Sequence, residues 1–344
     1  MKNLRNISII LIFLFSIFAL SGCTEEAKEF NIAIIFATGG LGDKSFNDAG
    51  YRGYLQANET YGDRIKVDYV EPEDIPEFAT YQNNFATEGK YDLIICIGFL
   101  QETALNDSAT QFPNQKWVII DSTEVPRDNV KMITYKEHEG GFLVGAMAAM
   151  VTNTSKLGFI GGMDIPLINK FKVGHEQGAK YINPSLNVTN TYTGVPPPQC
   201  WTDPVLGKQI AENLYSEGID IIFVAAGGTG QGVFQAANET ADVMAIGVDS
   251  DQDGDMPGKV LCSMLKLVET GVFESIKAIV EGTWTNEELN LGLAENGVGI
   301  SPMTYTSWAK NGAYTLNGTT KTRWEWIEDI KAKIIAGTIV VTPP

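Results

Sequence analysis

Short runs of apolar residues alternate along this chain with longer segments in which apolar side chains recur at helical spacing. Residues 31–37, 93–98 and 219–225 are nearly continuous apolar runs, which is typical of strands that are buried on both faces of a sheet. Residues 45–61 and 203–216 instead have the pattern of helices. The alternation predicts an α/β fold in which helices cover both faces of a parallel sheet.

The same alternation begins again partway along the chain, without obvious repetition of the sequence itself. It predicts two doubly wound units of about five strands each. The predicted strands are residues 31–37, 65–70, 93–98, 117–121, 130–135, 156–161, 186–192, 219–225, 243–248 and 259–266. The predicted helices are residues 45–61, 76–88, a segment that ends at 112, 137–151, 167–182, 203–216, 230–239, about 268–281 and 324–335.

Two facing sheets of this kind predict a ligand cleft. Ligands of open α/β sheets bind beyond the carboxyl ends of the strands, and clefts between domains are favoured ligand sites. Short hinge crossings are predicted near residues 135–139 and 250–259. The expected division is residues 31–136 with about 258–284 in the first lobe, and residues 137–257 with about 285–344 in the second.

The N-terminus has the parts of an export signal. Positively charged residues at the start are followed by an apolar run at 9–20, which is too short to span a membrane comfortably. The sequence Leu-Ser-Gly-Cys then ends at Cys23 and resembles a bacterial-type lipobox. We expect residues 1–22 to be a signal peptide, and 23–30 to be a lipid-bearing tether that holds the protein at the extracytoplasmic face of the cell membrane. A plain signal peptide with a coincidental cysteine and an uncleaved anchor are the alternatives.

Composition and charge narrow the ligand classes. The chain of 344 residues is 44% hydrophobic and 19% charged, which is ordinary for a globular protein. Its net charge is −17, and no cluster of Lys and Arg follows the export signal, whereas a protein that binds the nucleic-acid backbone needs a basic surface. We therefore expect no nucleic-acid partner, and a strongly anionic ligand is disfavoured as well.

Cysteine and histidine usage gives no indication of a metal or a cofactor, and we expect neither. Once the lipobox is set aside, Cys96, Cys200 and Cys262 remain, and an odd number leaves at least one free thiol. Cys96 and Cys262 lie in apolar runs, which predicts that they are buried. The chain has only two histidines, so a histidine-rich metal site is not expected. The acidic run that begins at Asp249 imitates a calcium loop, but its twelfth position is Val260 rather than the required glutamate.

Several motifs together resemble the basic membrane protein (BMP) family, whose members are purine-nucleoside-binding lipoproteins of ABC importers. The matching segments are residues 39–48, 135–145, 158–178, 201–204, 225–234, 247–252 and 263–266. They occur in order over about residues 31–280, which is far more specific than a single glycine-rich loop. The resemblance implies a type I periplasmic-binding-protein fold, with two lobes joined by three crossovers that close around a ligand. It also implies a nucleoside as ligand and an ABC permease and ATPase as partners.

The resemblance further assigns roles in the cleft. Phe46, next to the glycine turn after the first strand, would stack on a purine, and Asn47 could donate to and accept from a base edge. Phe171 is the candidate aromatic from the second lobe, although an aromatic on an amphipathic helix can equally belong to the core. Asp249, at the end of a strand, would accept hydrogen bonds from a ribose diol. Lys266, at the end of the next strand, would donate to a ribose hydroxyl.

Other candidates are indicated by their position in the predicted elements. Gly227 and Gly228 follow a buried strand and open a helix, which suits close approach of the backbone to a small neutral ligand, or only the packing of helix on sheet. Their spacing does not match the G-x-G-x-x-G of dinucleotide-binding proteins. Asp121 ends a strand and is a candidate for the cleft.

One position departs from the family pattern. The family often has Asp at the end of the first strand, before the glycine turn, where this chain has Ala37 followed by Thr38. If that Asp contacts the base in the family, base specificity differs here. Thr38 and Asp48 are the candidate substitutes.

These features together indicate a binding protein rather than an enzyme. The sequence has no G-x-S-x-G, H-E-x-x-H or Walker spacing. Carboxylates near the predicted cleft leave a nucleoside hydrolase as one alternative. A binding protein for another small neutral solute, such as a sugar or an autoinducer, is the second, and a cell-surface adhesin or sensor without a permease is the third.

Overall fold

The apolar runs of the sequence form the strands of two large sheets in the computed structural model, which describes residues 28–344. The expected signal peptide, Cys23 and most of the tether lie outside the described residues. The strands are β1 Phe30–Ile35, β2 Ile65–Val70, β3 Leu93–Ile97, β4 Trp117–Ile120, β5 Val130–Tyr135, β6 Lys156–Gly161, β7 Asn187–Tyr192, β8 Ile221–Ala225, β9 Met244–Asp249, β10 Val260–Lys266, β11 Leu289–Leu291, β12 Val298–Ile300, β13 Ala313–Leu316 and β14 Thr319–Thr322.

Helices pack on both faces of these sheets and join most of the strands. They are α1 Phe46–Tyr61, α2 Glu77–Glu88, α3 Glu102–Gln111, α4 Glu137–Val151, α5 Pro166–Ile182, α6 Gln199–Thr202, α7 Pro204–Ser216, α8 Gly230–Glu239, α9 Val268–Val280, α10 Ser307–Asn311 and α11 Arg323–Ile335. In residues 28–344 none of the helices combines the length and the apolar character that a bilayer crossing requires.

Each large sheet has six strands, one more than the sequence pattern predicts. The first has the order β2-β1-β3-β4-β5-β11, with every pairing parallel. The second has the order β7-β6-β8-β9-β10-β12 and is parallel except at β12, which runs antiparallel to β10. The extra strand of each sheet comes from the C-terminal segment, and β13 and β14 form a separate hairpin. In both sheets the chain starts next to one edge and winds outward to both sides, as in doubly wound folds.

We call the first sheet with α1, α2, α3 and α9 the first lobe, and the second sheet with the remaining helices and the hairpin the second lobe. The chain crosses between the lobes three times, between β5 and α4, between β10 and α9, and between β11 and β12. The count agrees with the three crossovers that the family resemblance implies.

Two predicted boundaries are wrong. Strand β10 pairs with β9, so the chain does not cross at residues 250–259, and β10 belongs to the second lobe rather than the first. Strand β11 pairs with β5 and belongs to the first lobe rather than the second. An apolar strand can pair with the strands of either sheet, so its composition does not reveal which sheet it joins.

The strands are buried from both sides because each sheet has helices on both faces. Neighbouring residues Ile94 and Ile95 of β3, whose side chains point to opposite faces, are each fully buried. Cys96, Cys200 and Cys262 are free thiols in buried positions. The free thiol and the buried environment expected for Cys96 and Cys262 are confirmed.

Glycines allow α4 and α5 of the second lobe to touch along their backbones. A Cβ atom added at Gly145 of α4 would lie 2.1 Å from the carbonyl oxygen of His175 in α5. One added at Gly178 of α5 would lie 2.0 Å from the carbonyl oxygen of Phe142 in α4. Neither position has room for a methyl group, so the contact fixes the place of α5, which carries the predicted ligand residue Phe171.

We expect Gly145→Ala to lower the free energy of unfolding by about 1–3 kcal/mol, the usual cost of overpacking a core, even though alanine is the better helix former by about 1 kcal/mol. Urea denaturation followed by circular dichroism measures the change. Gly299→Ala is the matched control, because a Cβ atom there meets nothing within 4 Å. A Gly145→Ala protein as stable as the wild type would contradict the backbone contact.

Candidate functional site

A cavity of about 310 Å³ lies between the two lobes, at the carboxyl ends of strands from both sheets. The first lobe contributes the segments that follow β1, β3 and β4, and the second contributes the start of α5, the region of α6 and the ends of β8, β9 and β10. The predicted ligand residues in its wall are Phe46, Asn47, Asp121, Phe171, Gly227, Gly228, Asp249 and Lys266. The structure therefore brings these side chains together around one cavity, and their contact with a ligand stays a prediction.

The start of α1 is capped by Asp43 rather than by Ser45, the residue that directly precedes the helix. The carboxylate of Asp43 accepts hydrogen bonds from the backbone N–H groups of Ser45 at 2.8 Å, Asn47 at 2.9 Å and Asp48 at 3.2 Å. The N–H groups of Asn47 and Asp48 are among the donors that a helix leaves unpaired at its first turn. The hydroxyl of Ser45 is thereby left available for another partner.

Phe46 and Asn47 are the first two residues of α1, and both face the cavity. The side-chain oxygen of Asn47 accepts a hydrogen bond from the backbone N–H of Ala37 at 2.9 Å. The two N–H donors of the Asn47 amide remain available to an acceptor. The methyl group of Ala37 lines the cavity where the family pattern often has an acidic side chain.

Of the two candidate substitutes for that acid, only Thr38 lines the cavity. Its side chain is buried, and its hydroxyl makes no hydrogen bond with residues 28–344. Asp48 instead points into the glycine turn, where it accepts hydrogen bonds from the backbone N–H groups of Gly42 at 2.7 Å and Lys44 at 3.0 Å. Asp48 is therefore the one predicted ligand residue that does not line the cavity, and its role there is to hold the turn.

A buried cluster of opposite charges lies at the floor of the cavity, where its members Asp121 and Lys266 line the wall. Lys266 Nζ lies 2.6 Å from Asp121 Oδ2 and 3.1 Å from Glu137 Oε1, and Glu137 also pairs with Lys170 at 3.3 Å. The Lys266 side chain is 2% exposed. Burial by itself lowers the pKa of Lys266, but the carboxylates of Asp121, Glu137 and Asp249 outweigh this effect and hold the pKa above its ordinary value. The amine therefore remains charged.

Glu137 is the member of this cluster that the sequence analysis missed. It is the first residue of α4, directly after the first crossing between the lobes. An acidic residue at a helix start is common because it interacts favourably with the helix dipole, so nothing in the sequence distinguishes Glu137 from other acidic residues at helix starts. Its place within the family segment 135–145 was the only available signal.

Three aromatic rings surround the ammonium group of Lys266. The ring centroids of Phe46, Tyr135 and Phe171 lie 5.1, 5.2 and 5.6 Å from Nζ, within the range of cation–π attraction. Phe171 is 3% exposed and also packs on Phe223, with 6.3 Å between the ring centroids. Phe171 is thus both a core residue and part of the cavity wall.

Trp201, on the short helix α6, is a second cavity-lining aromatic of the second lobe, and the sequence analysis missed it as a site residue. Its ring covers Gly162, where an added Cβ atom would lie 2.0 Å from the ring. Added Cβ atoms at Gly227 and Gly228 would lie 3.4 and 3.2 Å from the Trp201 carbonyl oxygen. The two predicted glycines therefore accommodate the backbone of Trp201 as well as lining the cavity.

Asp249 is the last residue of β9 and lies in the cavity wall opposite α1. Its backbone is left-handed, with φ at +63°, and the residue is 6% exposed. The Ser45 hydroxyl donates a hydrogen bond to Oδ2 at 2.5 Å. Burial raises the pKa of Asp249 to about 7, against the opposing effects of Lys266 and Ser45.

The acidic run after Asp249 serves the packing of its own loop. Asp253 accepts hydrogen bonds from the hydroxyls of Ser263 on β10 and Ser301 after β12, at 2.8 to 2.9 Å. In the part of the chain that the structure describes, no group of three or more His, Cys, Asp or Glu side chains is arranged to hold a metal ion.

A family model described as ABC transporter substrate-binding protein PnrA-like, with the family name Bmp, matches residues 30–341. The chain belongs to this family. The resemblance inferred from the motifs is thereby confirmed, and so is the periplasmic-binding-protein fold, since solved ABC solute-binding proteins share it.

Curated relatives of this PnrA-like protein include lipoproteins and membrane proteins by name. An uncharacterised lipoprotein of Pyrococcus abyssi is 34% identical over 85% of this chain and 75% of its own length. The ABC transporter nucleoside-binding protein BmpA of Lactococcus lactis is 32% identical over 78% of this chain and 82% of its own. Basic membrane protein D of Borreliella burgdorferi is 31% identical over 86% of each chain.

A solved structure agrees with these assignments. An ABC transporter solute-binding protein of Aeropyrum pernix superposes with a TM-score of 0.78 at 30% identity, over 92% of this chain and 94% of its own. PnrA-like proteins are the substrate-binding components of ABC transporters. Such components bind small molecules and work with a permease and an ATPase. The members of the family are described as binding proteins rather than as enzymes.

We expect Lys266→Met to lower the free energy of unfolding by about 3–5 kcal/mol at pH 8, because the buried carboxylates of Asp121 and Glu137 lose their counter-charge. At pH 5 the loss is smaller, since carboxylates without a counter-charge have raised pKa values in the folded state and take up protons there as the pH falls. Urea denaturation at the two pH values measures both effects.

Lys277→Met is the matched control for this prediction. It removes a partly exposed lysine that pairs with Glu274 at 3.0 Å, and an ion pair at the surface contributes little to stability at either pH. Equal losses in the two variants would contradict a buried charge cluster around Lys266.

Proposed function

We propose that this PnrA-like protein binds a purine nucleoside in the cavity between its lobes and delivers it to an ABC permease. The observation that carries the proposal is the combination, in one cavity, of aromatic side chains from both lobes with a carboxylate and an ammonium group at strand ends. A nucleoside has the matching parts, because its base is flat and aromatic and its ribose carries vicinal hydroxyls. The name of the Lactococcus lactis relative, a nucleoside-binding protein, supports the same ligand class.

The aromatic part of the cavity would hold the base. Phe46 offers its ring from the first lobe, and Phe171 and Trp201 offer theirs from the second. Stacking of a base on an aromatic side chain contributes about 1–3 kcal/mol where it has been measured in nucleic-acid complexes. Asn47 would donate from its free amide N–H groups to an acceptor on the edge of the base.

The charged part of the cavity would hold the ribose. Lys266 has three N–H donors, and one of them is donated to Asp121. Glu137 lies at ion-pair distance but accepts no hydrogen bond in residues 28–344, so donors remain for a ribose hydroxyl. Asp249 would accept from a hydroxyl of the ribose diol. Asp121, in the same floor, completes the polar surroundings of the sugar.

The balance of charge around the cavity favours an uncharged ligand. Three carboxylates, those of Asp121, Glu137 and Asp249, act on the ammonium group of Lys266. Asp121, Asp249 and Lys266 line the cavity, and Glu137 lies behind them, 3.1 Å from Lys266 Nζ. A phosphate would meet an acidic wall with no arginine, which is unfavourable in a desolvated site. A nucleoside is therefore the better ligand than a nucleotide.

The specificity for the base is proposed to differ from that of relatives with an acid at the end of the first strand. Ala37 cannot accept a hydrogen bond through its side chain. Thr38 lines the cavity next to it and has a hydroxyl without a partner in residues 28–344. In place of the acid of those relatives, the Thr38 hydroxyl would turn toward the base, where it can act as donor or acceptor.

A ligand panel tests the nucleoside proposal. Adenosine, guanosine and inosine are expected to raise the melting temperature, with about 2.7 kcal/mol of stabilisation at 100 times the dissociation constant. Ribose, arabinose, AMP and GMP serve as controls. A shift with a sugar and none with any nucleoside would favour the rival proposal of another neutral solute. Release of free base, followed by chromatography, would instead favour a nucleoside hydrolase.

Asp249→Ala is expected to weaken nucleoside binding at least tenfold, because a hydrogen bond to a charged group contributes about 1.5–3 kcal/mol. Isothermal titration calorimetry measures the affinity. Asp251→Ala is the matched control, since Asp251 lies two residues away in the same loop and is exposed. Unchanged affinity in Asp249→Ala would remove this carboxylate from the site.

The proposed location is the extracytoplasmic face of the cell membrane, with a lipid on Cys23 as anchor. The proposal is supported by the lipobox-like sequence that ends at this cysteine and by the lipoprotein names of relatives. A tethered binding protein stays near its permease, so the anchor and the transport role are consistent with each other.

A further inference from the structure

The hydroxyl of Ser45 connects the first lobe to Asp249 of the second. Ser45 is fully buried, and its Oγ donates to Asp249 Oδ2 at 2.5 Å. The carbonyl oxygen of Val248 lies 3.4 Å from the same Oγ, but a hydroxyl has one proton, and the shorter contact to the carboxylate takes it. Because the two residues belong to different lobes, this hydrogen bond exists only while the two loops are in contact.

The capping of α1 explains why this hydroxyl is free to reach Asp249. A serine just before a helix normally accepts a hydrogen bond from the N–H groups of the first turn. Here Asp43 accepts from those groups, and Ser45 makes no capping hydrogen bond. Asp43 and Ser45 are both suited to cap α1. Because Asp43 does so, the Ser45 hydroxyl is free to donate to Asp249.

The backbone around Ser45 is held from the other lobe by two further hydrogen bonds. Ser250 Oγ donates to the carbonyl oxygen of Ser45 at 2.8 Å. Gln252 Nε2 donates to the carbonyl oxygen of Lys44 at 3.0 Å, while its side-chain oxygen accepts from the N–H of Val248 at 2.8 Å. The distance between Ser45 and Asp249 is therefore fixed by both side chains and backbone.

Asp249 needs such support because of its own conformation. A left-handed backbone, here with φ at +63°, costs a residue other than glycine about 1–3 kcal/mol. Ser45 occupies Oδ2, whereas Oδ1 receives no hydrogen bond from residues 28–344 and Asp249 lines the cavity. The carboxylate is thus anchored through one oxygen and offers the other to a ligand.

We propose that Ser45 is a positioning residue, which orients the Asp249 carboxylate toward the ligand and does so only when the lobes are together. The contribution of Ser45 to nucleoside affinity rests on the function proposed above. The effect of Ser45 on the Asp249 carboxylate is independent of that function. Closure and ligand recognition would then depend on one another, because the acceptor for the sugar reaches its working geometry through a residue of the opposite lobe.

The charged groups that face Asp249 allow the effect of Ser45 to be measured. They are Lys266 on β10, Asp121 at the end of β4 and Asp43 before α1. Burial raises the pKa of Asp249 to about 7, and the hydrogen bond from Ser45 opposes the rise. Removing the hydroxyl therefore raises the pKa further. Ligand affinity that depends on the ionised carboxylate then requires a higher pH.

The decisive comparison uses Ser45→Ala with a nucleoside and its 2′,3′-dideoxy analogue. We expect Ser45→Ala to weaken adenosine binding about tenfold at pH 7 and to leave binding of 2′,3′-dideoxyadenosine nearly unchanged, because only adenosine has hydroxyls to donate to Asp249. The pH at which adenosine affinity reaches half of its maximum should also rise. An equal loss for both ligands, with no change in the pH profile, would overturn the proposal.

Ser108→Ala is the matched control. Its hydroxyl is also buried and donates to Gln82 at 3.1 Å in the core of the first lobe, away from the cavity. It should leave both affinities unchanged, so that a general effect of losing a buried serine hydroxyl is separated from the effect on Asp249.

A measurement without ligand separates failure of this inference from failure of the proposed function. In protein labelled with ¹³C at aspartate side-chain carboxyls, the Asp249 signal is assigned with Asp249→Asn, and its titration is compared between wild type and Ser45→Ala. A raised midpoint in Ser45→Ala supports the positioning role even if no nucleoside binds. An unchanged midpoint overturns it even if nucleosides bind well.

Discussion

The ion cluster of Lys266 is the interaction on which the rest of the cleft depends. A buried ammonium group costs several kcal/mol unless carboxylates compensate it, and here the two carboxylates come from different places in the fold. Asp121 ends a strand of the first lobe, and Glu137 begins α4 in the second, directly after a crossing. Lys266 itself ends β10, one residue before the next crossing. The cluster therefore joins both lobes at two of the three hinge points, and its members Asp121 and Lys266 also line the floor of the cavity.

Contacts close to the backbone determine the positions of the aromatic side chains that line the cavity. Gly145 and Gly178 let α4 and α5 touch without intervening side chains, and α5 carries Phe171 from this rigid pair into the cavity wall. On the other side, Asp43 fixes the start of α1 and thereby the position of Phe46. The walls are thus held by short-range, well-packed contacts in each lobe, and only the polar contacts between the lobes remain to adjust to a ligand.

The fold could be predicted from the sequence because its strands are continuous apolar runs separated by helical patterns. Residues 65–70, 130–135 and 156–161 were predicted with the bounds that the structure has. The sheet to which β10 and β11 belong could not be predicted, because an apolar strand carries no mark of its neighbour. The strand-end residues Asp121, Asp249 and Lys266 could be placed at the cavity from topology alone, since parallel strands end at one edge. Glu137 and Trp201 could not, because each lies on a helix whose direction depends on tertiary packing.

The contacts between the lobes are suited to opening as well as closing. Lys44 pairs with Asp255 at 3.1 Å at an exposed position, where an ion pair contributes little, and the hydrogen bonds around Ser45 can be replaced by water when the loops separate. Separation of the lobes therefore has a modest cost, and a ligand that contacts both walls need supply only a few kcal/mol of differential affinity to favour the closed form. When the polar contacts between the lobes break, the cavity opens and the ligand can dissociate. The same weak contacts that complete the site therefore allow the ligand to leave at the permease.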